Sequence, residues 1–234
     1  MSPPNTQRKP AKAFLVDDHE VVRMGLAMAI DEDPDFEVTG QAATRKEARD
    51  LCAEQTPDIA IVDLSLENES GLELIKDLVG RYPDLRILVL SMHDETLYAE
   101  RVLRAGGKGY VMKSEGPDRV LDAMRRVMAG DIALSPRMTA RVLERLTAGE
   151  DLGESPIESL SDRELEVFEL IARGYSTHEI ADSLHLSPRT IDSHREKIKT
   201  KLHLRSALEL HQHAFLWMQQ QGGGEHVSGT APPA

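Results

Sequence analysis

Three carboxylates, a hydroxyl and an ammonium group stand at the ends of four short apolar runs in the first half of this chain. Phe14-Leu15-Val16 leads into Asp17 and Asp18, and Ile59-Ala60-Ile61-Val62 leads into Asp63. Ile87-Leu88-Val89-Leu90 leads into Ser91, and Tyr110-Val111-Met112 into Lys113. Brought together, these groups suit phosphoryl transfer, which needs mostly positioning and neutralisation of the equatorial oxygens. A carboxylate such as Asp63 can attack phosphorus and become an aspartyl phosphate. Crowded carboxylates raise one another's pKa unless a cation intervenes, and Mg2+ accepts carboxylate, carbonyl and water oxygens. Asp18 and Asp63 are candidate ligands, with a backbone carbonyl just after Asp63, at Ser65, as a third and Asp17 orienting bound water. Lys113 and the cation then neutralise two phosphoryl oxygens, and the Ser91 hydroxyl bonds a third.

The elements that must position these groups follow from the pattern. Continuous apolar runs separated by amphipathic stretches read as parallel strands buried on both faces. Sites in open α/β sheets form just beyond the carboxyl ends of such strands. Strands are expected at 13–16, 37–41, 59–62, 87–90 and 109–112, with helices at 19–30, 45–55, 71–81, 96–105 and 117–128. Strict strand–helix alternation predicts an α/β fold with a doubly wound, five-stranded parallel sheet.

Residues 12–130 are expected to form that domain, preceded by a disordered tail at 1–11. A linker at 131–156 is expected to begin as a helix over 136–147 and continue as an exposed acidic segment. Residues 157–221 show only helical patterns and predict a small all-α domain, and the Gly-, Ser- and Pro-rich tail at 222–234 is expected to be disordered. The single cysteine, Cys52, excludes an internal disulfide framework and reads as a small core residue. No apolar run approaches a membrane span, and a cytoplasmic location is expected. The net charge of -12 argues against a protein that coats nucleic acid. Yet Arg189, Arg195, Lys197, Lys199, Lys201 and Arg205 cluster against only Asp192 and Glu196 over 187–205, which suits a specific DNA contact.

Three helix starts in the second half carry serine caps. Ser161-Asp162-Arg163-Glu164 and Ser176-Thr177-His178-Glu179 fit capping boxes. Ser187-Pro188 places a cap before a proline at the first helical position. Gly174 ends the first of these helices, and His185-Leu186-Ser187 makes the short turn of a helix-turn-helix. In the third helix Ile191, His194, Ile198 and Leu202 share an inward stripe, while Arg189, Ser193, Glu196 and Thr200 face the other way. Such a helix can enter the major groove, where base-edge contacts specify and phosphate contacts position. His194 has no zinc-type spacing around it and reads as an inner histidine.

Asp17-Asp18, Asp63, Ser91 and Gly109-Tyr110-Val111-Met112-Lys113 together resemble a response-regulator receiver domain over about 12–130. The resemblance implies a flavodoxin-like fold with Asp63 as phosphoacceptor and Lys113 as phosphate-binding lysine. Ser91 and Tyr110 hold the hydroxyl and aromatic switch positions, and their movement would repack the face of the fourth helix, fifth strand and fifth helix. The loop after Asp63 departs from the family pattern by lacking its proline and being unusually acidic. Ser65 and His93 stand at positions that tune phosphoryl lifetime in this family.

Residues 160–210 resemble the LuxR-type (GerE-type) helix-turn-helix. That match rests on Leu160-Ser161-Asp162-Arg163-Glu164, Ile171-Ala172-Arg173-Gly174, Glu179-Ile180-Ala181 and Ser187-Pro188-Arg189-Thr190-Ile191, continued by His194, Ile198 and Lys201-Leu202. The resemblance places Asp192, Ser193 and Glu196 at base edges, and the acidic pair would accept from cytosine amino groups. Arg189, Thr190, Arg195, Lys197, Lys199 and Lys201 complete the expected DNA-binding set. The last helix, with Leu208, Leu210, Phe215, Leu216 and Trp217, is a candidate dimer surface, with simple core packing as the alternative. The whole pattern resembles the NarL/FixJ class. It implies a sensor histidine kinase as phosphodonor, double-stranded promoter DNA as target and a homodimer on activation. A phosphate-independent DNA binder that uses the receiver fold only to dimerise is the alternative. No His or Glu is placed as a dedicated general acid, so no enzyme is expected.

Overall fold

The computed structural model describes residues 9–66, 69–147 and 156–221. The two tails and the acidic segment of the linker read from the sequence lie largely outside those residues. The chain forms two compact units, Met1–Asp151 and Leu152–Ala234.

In the first unit β1 (Ala11–Val16), β2 (Phe36–Ala42), β3 (Ile59–Val62), β6 (Arg86–Ser91) and β7 (Gly109–Met112) form one sheet in the order β2-β1-β3-β6-β7. Every pairing within it is parallel. All four residues of β3 are buried, as a central strand covered on both faces requires. Helices α1 (Glu20–Asp31), α2 (Arg45–Gln55), α3 (Gly71–Arg81), α4 (Glu95–Arg104) and α5 (Pro117–Ala129) alternate with these strands. Their starts are set locally: the side chains of Thr44, Ser70 and Asp94 each accept from a backbone amide in the first turn of α2, α3 and α4. Ala13, Leu15, Ile30, Ile59, Leu88, Val111 and Met124 belong to one core between sheet and helices.

Two features were not expected from the pattern. A two-residue antiparallel ladder, β4 (Ser65–Leu66) with β5 (Glu69–Ser70), folds the loop after Asp63 back on itself. Gly71 then passes so near that a Cβ there would lie 2.2 Å from the Asp63 carbonyl oxygen, so only glycine fits. Secondly, the backbone beyond α5 bridges to Gly109 through Ala133, adding to the free edge of β7 before α6 (Pro136–Thr147) begins.

The second unit holds α7 (Asp162–Ala172), α8 (Thr177–Ser183), α9 (Pro188–Lys201) and α10 (Ala207–Gln221). Ser161 with Glu164 and Ser176 with Glu179 form both capping boxes, and Ser187 caps α9. Leu165, Phe168, Ile171, Ile180, Ile191, Ile198, Leu202 and Leu210 make the core. The inward stripe of α9 is therefore as the 3.6-residue period dictates, with His194 half-buried at its edge.

Candidate phosphoacceptor site and recognition helix

The carboxyl ends of β1, β3, β6 and β7 converge, and they bring Asp17, Asp63, Ser91 and Lys113 with them. Asp63 is only 2% exposed, and its amide donates to the Val16 carbonyl, which ties this residue to the end of β1. Lys113 Nζ lies 2.6 Å from Asp63 Oδ2 and also 2.6 Å from Asp17 Oδ2, so one ammonium serves two buried carboxylates. Burial pushes the Asp63 carboxyl up, Lys113 pulls it back and Asp17 pushes it up again, leaving it at about 6. Burial alone would lower Lys113, but Asp63 and Asp17 outweigh it and hold the ammonium above its ordinary range.

Asp17, Asp18, His19 and Asp63 each offer a ligand atom, all within 4.8 Å of one another. Asp18 Oδ1 lies 2.6 Å from His19 Nδ1, yet no hydrogen bond satisfies it among the described residues. A buried oxygen without a donor, beside two more carboxylates, is what a hard divalent cation satisfies. His19 was not singled out in the sequence; its only signal there is its place directly after Asp18 at the start of α1.

The residues expected at the switch positions are joined by hydrogen bonds. Ser91 is fully buried and its Oγ accepts from the His93 amide at 3.2 Å. Tyr110, 1% exposed, donates its hydroxyl to the His93 carbonyl at 2.9 Å. Ser65 donates its amide to Asp63 Oδ1 at 3.2 Å, and its Oγ lies 2.8 Å from His93 Nε2. The two positions that the family resemblance marked as tuning phosphoryl lifetime thus touch each other.

On α9 the expected DNA-binding residues divide into two groups. Arg189, Asp192, Ser193, Glu196 and Lys197 are exposed. Arg189 and Lys197 make no ion pair among the described residues. The others are engaged inside the unit: Thr190 Oγ1 pairs with Ser187 Oγ at 2.8 Å, and Lys199 with Glu196 at 2.9 Å. Arg195 is half-buried and donates to Thr177 Oγ1 at 3.1 Å while its other nitrogen lies 2.9 Å from His211 Nε2. Lys201 Nζ donates to the Ser159 carbonyl at 3.0 Å and to Glu164 Oε2 at 2.6 Å. A helical wheel shows which face a side chain leaves from but not which neighbour captures its end.

Residues 13–125 match the family model described as "Response regulator receiver domain", and residues 158–214 match "Bacterial regulatory proteins, luxR family". Oxygen regulatory protein NreC of Staphylococcus carnosus (strain TM300) is 38% identical over 209 residues, covering 87% of this chain and 96% of the relative. The chain is a response regulator of the LuxR-type class. Among solved structures, a LuxR-family two-component response regulator from Aurantimonas sp. SI85-9A1 is 35% identical, with a TM-score of 0.55 over 59% of this chain and 99% of that one. RcsB from Salmonella enterica serovar Typhimurium, solved on promoter rprA with the phosphomimetic BeF3-, is 25% identical, with a TM-score of 0.56 over 88% of this chain and 98% of that one. This response regulator therefore joins a receiver domain to a DNA-binding domain of a transcription regulator. No helix among the described residues is long and apolar enough to cross a membrane.

Proposed function

We propose that Asp63 accepts a phosphoryl group from a sensor histidine kinase and that its phosphorylation promotes dimerisation and promoter binding. The receiver spans 12–130, the linker 131–156 and the DNA-binding domain 157–221 in this reading. The observation that carries it is the buried Asp63 carboxylate, which shares the ammonium of Lys113 with Asp17 at 2.6 Å from each. An Asp63 oxygen attacks phosphorus, the bond from phosphorus to the kinase imidazole breaks, and the imidazole keeps that electron pair. Lys113 moves from neutralising two carboxylates to neutralising the phosphoryl oxygens, and the Ser91 hydroxyl donates to another. Asp17, Asp18, Asp63 and the Ser65 carbonyl hold Mg2+, which when bound supplies positive charge to the carboxylates and the transferring group. The unsatisfied Asp18 Oδ1 fits that role.

In the second domain Arg189 and Lys197 contact phosphates, while Asp192, Ser193 and Glu196 face base edges. Arg195, Thr190 and Lys201 act by holding α9 in place, and Lys199 sets the direction of Glu196. Leu208, Phe215 and Leu216 on α10 are 66%, 54% and 56% exposed, an apolar face suited to a second protomer. A cytoplasmic location accords with a kinase and a promoter as partners.

The deciding test is intact-protein mass after incubation with Mg2+ and acetyl phosphate. Wild type gains one phosphoryl group, about 80 Da, and Asp63→Asn gains nothing. Absence of any gain in wild type, with promoter binding retained by Asp63→Asn, would favour the phosphate-independent regulator.

A further inference from the structure

The segment that follows α5 is fastened to the switch region at two separate points. At one, Ala133 lies along the free edge of β7: the Tyr110 amide donates to the Ala133 carbonyl at 2.8 Å and the Ala133 amide to the Lys108 carbonyl at 2.9 Å. A Cβ on Gly109 would lie 2.8 Å from that same carbonyl oxygen, so this close approach requires glycine. At the other, the carboxylate of Glu95, the first residue of α4, accepts from the Ser135 amide at 2.8 Å. Glu95 is 8% exposed, and Ser135 in turn caps α6 by accepting from the Met138 amide at 3.1 Å. One buried carboxylate therefore faces the positive ends of two helices, α4 and α6. Ala133, Leu134 and Met138 are 0%, 3% and 0% exposed, and α6 packs on α4.

We infer that Glu95 is a latch that docks residues 131–138 and the head of α6 onto the α4–β7 edge, and that phosphorylation of Asp63 opens it. The inference rests on the reading of Asp63 as phosphoacceptor. Its physical basis is that both fastenings connect to Ser91 through His93. The Ser91 Oγ accepts from the His93 amide, the Tyr110 hydroxyl donates to the His93 carbonyl, and Glu95 lies two residues beyond His93. An aspartyl phosphate presents oxygens that need donors, and Ser91 is a buried hydroxyl at the same sheet edge. As the Ser91 side chain rotates toward the phosphoryl group to donate, its Oγ leaves the His93 amide, and the 92–95 segment shifts with it, carrying Glu95 away from Ser135. The freed α6 leads in the chain to the DNA-binding domain. Glu95 is a positioning residue in this scheme, since it touches no reacting atom.

The test is hydrogen–deuterium exchange by mass spectrometry on the full chain, reading peptides over 131–140, with β3 as a fold control. In unphosphorylated protein, Glu95→Ala should exchange roughly tenfold faster or more over 131–140, the loss expected for a hydrogen bond to a charged acceptor. Glu95→Gln, which keeps an acceptor oxygen, should retain most of the protection. Wild type treated with Mg2+ and acetyl phosphate should approach the Glu95→Ala rate, and Glu95→Ala should respond little further. Unchanged protection in unphosphorylated Glu95→Ala would overturn the latch, as would unchanged protection in wild type that has gained its phosphoryl mass. A wild type that gains no mass would instead count against the phosphoacceptor reading, and the Glu95→Ala comparison would still decide whether Glu95 fastens the segment.

Discussion

Asp63 in the first unit and Glu164 in the second are both buried carboxylates with a lysine nitrogen 2.6 Å away, and their fates are opposite. Asp63 is pushed up to about 6, because burial and the neighbouring Asp17 outweigh a lysine that Asp17 also claims. Burial pushes Glu164 up as well, but Lys201 together with the amide and hydroxyl of Ser161 overrules it and holds the carboxyl below its ordinary range. The difference lies in desolvation, which outweighs the donors at Asp63 but not at Glu164, and in Asp17, a second carboxylate that repels Asp63 and shares its lysine. A carboxylate saturated with donors is a structural part, here the corner where α7, α9 and the Ser159 carbonyl meet. Asp63 instead shares its lysine with a second carboxylate and stands in the Asp17–Asp18–His19 cluster, the arrangement proposed above to take a cation and a phosphoryl group.

That comparison can be broken most severely at Glu164. Glu164→Ala removes the capping box and leaves the Lys201 ammonium without its carboxylate, at an expected loss of about 2–3 kcal/mol, with Glu164→Gln losing about half as much. Urea unfolding followed by fluorescence of Trp217, the one tryptophan in the chain and packed 5.2 Å from Phe168, reads the second unit directly. An unshifted midpoint in both variants would remove the structural role assigned to this pair.

The converse change should stabilise. The folded Asp63 carboxyl holds its proton to about pH 6, whereas its ordinary value is 3.8, so the folded chain binds more protons across that window. Stability contributed at this position therefore falls as pH rises through the window and stays low above it. Asp63→Asn, without that charge, should stabilise the first unit by about 1–2 kcal/mol at pH 7 and by almost nothing below about pH 4. Mg2+ should shrink the gain by stabilising wild type. Calorimetric unfolding across pH checks the sign; destabilisation of Asp63→Asn at pH 7 would show that Lys113 dominates the site after all.

The smallest effect sharpens the same distinction on α9. Arg189→Ala and Lys197→Ala should each lower the salt slope of DNA binding by about one unit per protomer. Lys201→Ala should leave the slope nearly intact while loosening the domain, since its ammonium is already held by Glu164 and Ser159. Equal slopes for all three variants would show that ion pairs inside the domain do not predict which cations reach DNA.

Much of the architecture was legible because it depends on local periodicity. The five strands, their alternating helices, the three serine-capped helices and the inward stripe of Ile191, Ile198 and Leu202 all follow from patterns a few residues long. Asp17, Asp63, Ser91 and Lys113 were legible for a related reason: each directly follows a strand, and parallel strands deliver their carboxyl ends to one edge. What escaped was set by partners far apart in the chain. His19 joins the acidic cluster, Arg195 turns to Thr177 and His211, and Ser65 meets His93 across 28 positions. The stretch around Ala133 carries a linker's composition, yet it becomes an added edge because Gly109 allows its backbone to approach.

The sequence by itself therefore determined the two folds, the residue types gathered at the sheet edge and the polar outer face of α9, since local pattern and family resemblance carry that information. Only the tertiary structure decided how one lysine is divided between Asp17 and Asp63, which cations of α9 remain free, and that Glu95 fastens Ser135. Those outcomes turn on ångström distances between chain-distant groups and on the desolvation that accompanies them, which no spacing along the chain encodes.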